Sequence, residues 1–366
     1  MSPGARSADA AGSGSGAGGL LVLGDVVTDV VARYRAPLAH GTDTAAAIRL
    51  MPGGAGANVA CWAARWGCAE VTLLGRVGAE SAAWHEQSLR AAGVRPRLVV
   101  DEEAATGTVI CLVDGAAERT FLTDSGAVLR LRPADWSPAF LDGVAHLHLS
   151  GYLFFADGSR ATARLALSAA RARGITVSVD PASAGFLAES GVDRFLDAVE
   201  GADVLLPNWD EAMLLAGLPT PAPPQQPRSP RPPQQPHPPN LSSPSDPSDP
   251  SSRSDPSDPS GRSDPSDPFV PLDLTAVAEA AAKLGSRFPL VAVTAGAEGA
   301  LVAEAGAAAV RVPGVRVAAR DTTGAGDAFT GAFLATRLAG ASAADAAAEG
   351  CRAGARAVLR VGGRPG

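Results

Sequence analysis

Short apolar runs alternate along this chain with longer stretches in which apolar residues return every three or four positions, a pattern of buried strands separated by helices. Residues 20–24, 71–74, 146–149, 175–179, 204–206 and 290–294 supply the runs. Val59, Trp62, Ala63 and Trp66 share a helical face that Gly67 closes, and residues 81–92, closed by Gly93, 159–173 and 272–284 carry similar spacing. Further helices are predicted from Asn208 through Leu218, from the turn at 321–327 to about Leu338, and from Ser342 as cap to about Leu359. Such alternation predicts a mostly parallel, doubly wound sheet. Residues 97–123 break the rhythm. There β-branched segments at 108–113 and 120–122 flank Asp114-Gly115, the pattern of an antiparallel hairpin, which with parts of 30–50 predicts a small second sheet acting as a lid. A second hairpin, 299–303 with 309–312, precedes the short run 315–317.

A chain of 366 residues with 46% hydrophobic content can form one large domain or two around a sizeable core. The pattern fails at two places. Residues 1–19, rich in Gly, Ala and Ser, predict a flexible tail with no signal-peptide character. Residues 219–268 hold 18 of the 30 prolines among Gln and repeated Ser-Asp-Pro units, so they predict a disordered insertion between two helices of one domain made of 20–218 and 269–366. A net charge of −7 argues against nucleic acid as partner. No run is long enough to span a membrane, and Cys61, Cys68, Cys111 and Cys351 lack Cys-x-x-Cys spacing, so reduced core thiols and a cytoplasmic location are expected.

Candidate chemistry gathers in glycine-rich turns. Asp321-Thr322-Thr323-Gly324-Ala325-Gly326-Asp327 feeds a helix on which Phe329, Phe333 and Leu334 face a core. The unpaired amides and partial positive charge of that first turn suit a phosphate group. Asp327 would repel phosphate if binding were its only task, which makes it a candidate general base for an attacking hydroxyl. A carboxylate favoured by the helix dipole is the structural alternative. Asp25 and Asp29 follow the first strand, where substrate hydroxyls would meet carboxylates in a sheet of this kind. Gly54, Gly56 and Asn58 lie in a second glycine turn, with Asn58 suited to a polyol. Asn208 and Glu211 carry two readings, a capping box and proximity to a hydrated Mg2+. Thr294, Gly296 and Gly299 form a polar turn at another strand end. His146 and His148 share a face but have no third metal ligand in view. No P-loop pattern is present, and the Gly-x-Gly-x-x-Gly of Gly14, Gly16 and Gly19 precedes the first strand, with no helix after it.

Taken in order, Gly53-Gly54-Ala55-Gly56-Ala57-Asn58, Pro207-Asn208-Trp209-Asp210-Glu211 and the 321–327 stretch resemble the signatures of the PfkB, or ribokinase-like, family of carbohydrate kinases. The resemblance implies an α/β/α sandwich with a small β-sheet lid, ATP as phosphoryl donor, Mg2+, and a small sugar or a nucleoside as acceptor. By the same resemblance Asp327 is the base and Gly324, Ala325 and Gly326 the anion hole. Asp29, Gly54 and Asn58 match substrate contacts, and Asn208 and Glu211 the pair near Mg2+ and phosphate. Thr294, Gly296 and Gly299 match the nucleotide border, and Asp321 with Thr323 a monovalent cation site. Glu80 stands where the family pattern carries Asp, and the sequence stops at Gly366, before residues that complete the family's cation site, which leaves K+ dependence open. The lid segment is poor in aromatics, with Phe121 the main one, which favours a plain sugar over a nucleoside. A silent sensor that binds nucleotide or sugar is the non-enzymatic alternative, and a homodimer is left open.

Overall fold

The computed structural model describes residues 18–115, 118–219 and 272–366. The predicted tail up to residue 17 and the predicted insertion from residue 220 onward lie outside the described residues. Gly19, read as the end of the tail, already opens the first strand. In chain order the elements are β1 Gly19–Leu23, β2 Val27–Tyr34, β3 Ala46–Gly53, α1 Ala55–Arg65, β4 Val71–Gly78, α2 Ala82–Ala91, β5 Arg95–Asp101, β6 Thr106–Val113, β7 Arg119–Gly126 and β8 Val144–Ser150. They continue with α3 Asp157–Ala172, β9 Thr176–Asp180, α4 Ala184–Ser190, α5 Val192–Ala198, β10 Val204–Leu205, α6 Trp209–Leu215 and α7 Leu274–Gly285. β11 Leu290–Thr294, β12 Gly299–Glu304, β13 Val310–Pro313, α8 Ala325–Leu338 and α9 Ala343–Ala357 complete the described chain.

Nine strands form the large sheet in the order β13-β12-β11-β10-β9-β8-β1-β4-β5. From β11 to β5 every pairing is parallel, and β12 runs antiparallel to both of its neighbours. Strand order reverses about β1, so the carboxyl ends of β1 and β8 flank a topological switch point. β1 is buried at every position, as an all-apolar strand between two layers must be. Leu20, Val22, Leu73 and Ala292 of the sheet pack with Val59 of α1 and with Phe329, Phe333 and Leu334 of α8, the three residues predicted to hold that helix. Ser342 caps α9 through its Oγ, which accepts from the amide of Asp345 at 3.1 Å.

The small sheet has the order β3-β2-β6-β7, with β2 and β6 parallel and the outer pairs antiparallel. Residues 97–101 of the stretch read with the lid instead belong to β5, which extends the large sheet beside β4. Glu80 accepts from the amide of Thr106 at 2.9 Å, so its longer side chain reaches the start of β6. α4 and α5 were not anticipated, since each holds only seven residues and neither develops a long periodic face. His146 shares both ring nitrogens with Thr176 and Ser178 at 2.7 Å, and His148 meets the same Ser178 at 2.8 Å. Burial pushes both imidazoles well below the ordinary range, to about 4 and about 3. They are packed neutral side chains, and among the described residues no three His, Cys, Asp or Glu groups are arranged to hold a metal. All four cysteines are free thiols. No helix among the described residues is long and apolar enough to cross a membrane.

Candidate active site

The turn after β1 meets the start of α1. Asp25 accepts from the amides of Ala55 at 2.6 Å and Gly56 at 3.0 Å and from the hydroxyl of Ser150 at 2.7 Å. It thereby does from a distance what a capping side chain does for unpaired helix amides. Gly54 has φ 100°, and a Cβ there would stand 2.5 Å from the carbonyl oxygen of Asp25. Gly56 would put a Cβ 2.6 Å from Gly24 Cα, so this glycine is required by the crossing of two backbones.

Asn58, one turn into α1, donates through Nδ2 to Asp327 Oδ2 at 2.8 Å, while its Oδ1 is buried without a partner. Asp327 sits in the first turn of α8, whose cap Gly324 has φ 73°. Burial drives the Asp327 carboxyl up to about 8, helped by the charges of Asp180, Asp25 and Asp29 and opposed by the Asn58 hydrogen bond. Asp29, on β2, has no hydrogen-bond donor among the described residues and is raised to about 6 by burial, with the Arg364 guanidinium pulling the other way.

A cavity of about 450 Å3 joins these groups, lined by Asp25, Asp29, Gly54, Asn58, Thr323 and Asp327. Sequence reasoning missed three further walls. Asp180 ends β9 and accepts from the amide of Ala182 at 2.9 Å, and the strand-end rule that selects Asp25 would also have found it. Ala182 beside it has φ 77°, a left-handed conformation rare for a residue with a side chain. Tyr152 and Phe186 meet edge to face at 5.9 Å, and Phe186 stacks on Phe155 at 5.1 Å, so an aromatic wall lines the same cavity as residues of the small sheet. It lies in segments that carry no glycine signature.

Asn208, Glu211, Thr294, Gly296 and Gly299 do not line that cavity and lie on neighbouring strand ends. Asn208 bridges Thr294 across β10 and β11, and Gly299 would place a Cβ 2.1 Å from the carbonyl oxygen of Val312. The capping box is present in full: Asn208 Oδ1 accepts from the Glu211 amide and Glu211 Oε2 from the Asn208 amide, both at 2.9 Å. Burial raises both Glu211 and Asp180, helped at Glu211 by the charge of Asp180 and at Asp180 by that of Asp25, so two desolvated carboxylates lie within electrostatic reach of one another. That donor set fits a dication which keeps much of its water shell.

The turn before α8 is tied on several sides. Asp321 accepts from the amides of Thr323 at 2.9 Å and Gly362 at 3.2 Å and pairs with Arg119 of β7 at 3.1 Å. Arg119 also donates to the hydroxyl of Thr322 at 2.6 Å. Gly363 packs against Gly324 and receives the indole N–H of Trp62 at 2.8 Å. Asp321, read as a cation ligand, thus already carries a guanidinium.

Residues 18–226 and 268–366 match the description of a pfkB family carbohydrate kinase, and the break falls within the predicted insertion. A fructokinase from Klebsiella pneumoniae is 33% identical over 168 residues, 45% of this chain and 50% of that relative, so the match spans about half of its length. Among solved structures, an adenosine kinase from Sinorhizobium meliloti superposes with TM-score 0.72 at 19% identity, covering 95% of this chain and 96% of its own. A candidate ribokinase II from E. coli, in complex with ATP and Mg2+, gives 0.70 at 22% identity over 94% of each chain. A ribokinase from Cryptococcus neoformans var. grubii serotype A, in complex with ADP, gives 0.66 at 20% over 94% of each. At these identities the likeness is one of fold.

Proposed function

The chain belongs to the pfkB family of carbohydrate kinases, and from that premise we propose that it transfers the terminal phosphoryl group of ATP to a hydroxyl of a small carbohydrate. The observation that carries this reading is Asp327, a carboxylate with raised proton affinity at a helix N-terminus, held by Asn58 at the wall of the cavity. In the proposed reaction Asp327 takes the proton of the acceptor hydroxyl as that oxygen attacks. The first-turn amides of Gly324, Ala325 and Gly326 stabilise charge on the phosphoryl oxygens. Asp29 and the unpaired Oδ1 of Asn58 accept hydrogen bonds from acceptor hydroxyls, and Gly54 and Gly56 let α1 start close enough to bring Asn58 there. Asp25 supports the same wall by capping α1. Nucleotide passes along Thr294, Gly296 and Gly299, and the complexes of the E. coli and Cryptococcus relatives support ATP as donor. Mg2+ would supply charge neutralisation at the phosphates, held through water by Glu211 and Asp180 beside Asn208. A monovalent cation at Asp321 and Thr323 would share Asp321 with Arg119.

The fructokinase relative favours a sugar as acceptor. A nucleoside is the second reading, favoured by the wall of Tyr152 and Phe186, which offers ring faces to a base. A homodimer is supported by the outer face of the small sheet, where Ile48, Leu50 and Leu122 are exposed. Turnover of ATP across sugars and nucleosides tests the substrate, and Asp327→Asn tests the chemistry. The variant is expected to lose kcat by about a hundredfold to ten-thousandfold while keeping or improving ATP affinity. Wild-type kcat in the variant would remove Asp327 from the mechanism, and a wild type without turnover would favour the sensor.

A further inference from the structure

On the inner face of the small sheet, register sorts the side chains into rows. Asp29 pairs with Met51 and Val109, and this row faces the cavity described above. Two residues along β2, Val31 pairs with Arg49 and Cys111, and two further on Arg33 pairs with Ala47 and Val113, the partner of Arg119. Residues two apart on a strand share a face about 7 Å apart, so charge reverses along this face within about 13 Å, from a carboxylate to a group of arginines.

Arg119 is neutralised by Asp321. Arg33 and Arg49 are not paired with any carboxylate among the described residues. Together with Arg320 they line a smaller, partly open cavity of about 150 Å3, with Val31, Ala47 and Val361 as its other walls. Arg320 likewise has no side-chain partner there; it is exposed and lies one residue before Asp321, with its amide on the Val358 carbonyl at 2.7 Å. Three arginines, each exposed and without a carboxylate partner among the described residues, line one small cavity in a chain whose net charge is −7. A planar fork of donors on each makes them suited to an oxyanion, and the cavity has room for one.

We propose that Arg33, Arg49 and Arg320 form a binding site for a doubly charged oxyanion, inorganic phosphate or the phosphoryl group of a phosphomonoester. Two of the three ligands come from the small sheet and the third from the segment entering the turn before α8. A bound anion therefore ties the sheet to that turn, alongside the Arg119 bridge. The site lies apart from Asp327 and does not depend on the reaction assigned to it.

The test uses the full chain, melted and titrated by calorimetry with inorganic phosphate at constant ionic strength, and in parallel with glycerol 3-phosphate. Saturable stabilisation is expected, reaching about a hundredfold in the folding equilibrium when phosphate is about a hundred times its Kd. Each of Arg33→Gln, Arg49→Gln and Arg320→Gln should weaken binding by about tenfold or more, as expected for loss of a charge-assisted hydrogen bond. Phosphate binding alone identifies a free oxyanion as ligand, and preference for glycerol 3-phosphate identifies a phosphomonoester; both support the site. In phosphate-free buffer the triple variant should melt no lower than wild type, because none of the three arginines has a carboxylate partner to lose among the described residues. A marked drop would assign the arginines to packing and overturn the proposal. It is also overturned if neither probe saturates, or if binding persists unchanged in the triple variant and is displaced by ATP, which would put the anion at the turn before α8.

Discussion

Asp327 ties proton affinity to stability in a way that can be measured. Its folded carboxyl holds a proton up to about 8, whereas the unfolded chain releases it near the ordinary value of 3.8. Between those values the folded state binds more protons, so this group lowers stability progressively as pH rises through that window. Asp327→Asn, which is always neutral, should therefore melt higher than wild type at pH 8, with the gain shrinking toward pH 5; a lower melting temperature at pH 8 would contradict the burial of this charge. Wild-type kcat/KM should rise with pH through the same range, since the base must be ionised. Asp25 and Asp29, four residues apart, should respond differently to alanine. Asp25→Ala removes two hydrogen bonds at the start of α1 and a third from Ser150 at the end of β8, and should cost about 1–2 kcal/mol of stability, the scale of a lost helix cap. Asp29→Ala removes a carboxylate with no donor and should leave the melting temperature unchanged or higher while raising KM for the acceptor more than KM for ATP. Equal effects of Asp29→Ala on both KM values would make that residue structural.

The glycines of the turn before α8 separate backbone need from ligand need. Gly324 adopts φ 73°, and a Cβ on it would lie 2.4 Å from Gly363 Cα, a backbone atom with no freedom to swing away. Gly324→Ala should therefore cost more than about 1 kcal/mol and lower activity with it. Gly326 has nothing within 4 Å of such a Cβ. Gly326→Ala should melt like wild type, yet lose kcat/KM if a phosphoryl group approaches that amide closely. A Gly326→Ala protein with normal kcat/KM would take this residue out of the anion hole. The helix that begins here was legible because Phe329, Phe333 and Leu334 keep helical spacing and now pack in the core. The capping box of α6 was equally legible, being a matter of residues three apart. The approach of Asp180 to Glu211 was not, because Asp180 arrives from another strand.

At the scale of the molecule, α6 and α7 pack on each other although about 58 residues separate them in sequence. Their ends are thus compatible with a short connection, and the family match breaks over residues 227–267. Replacing residues 220–267 by a short Gly/Ser linker should leave melting temperature and turnover nearly unchanged; a large loss of either would show that the insertion contributes to the fold. Hydrophobic periodicity and turn chemistry alone determined the doubly wound sheet, the small second sheet and the glycine turns, because these follow from interactions over a few residues. Only the tertiary structure decided which carboxylates meet. Asn58 reaches Asp327 across 269 positions, and Ser150 reaches Asp25 across 125. Tyr152 and Phe186 become a cavity wall, Arg119 settles on Asp321, and β5 joins the large sheet, each through packing between distant segments. Burial sets the proton affinity of Asp327 in the same way: a side chain's desolvation is a property of everything folded around it, and no local pattern of residues encodes that.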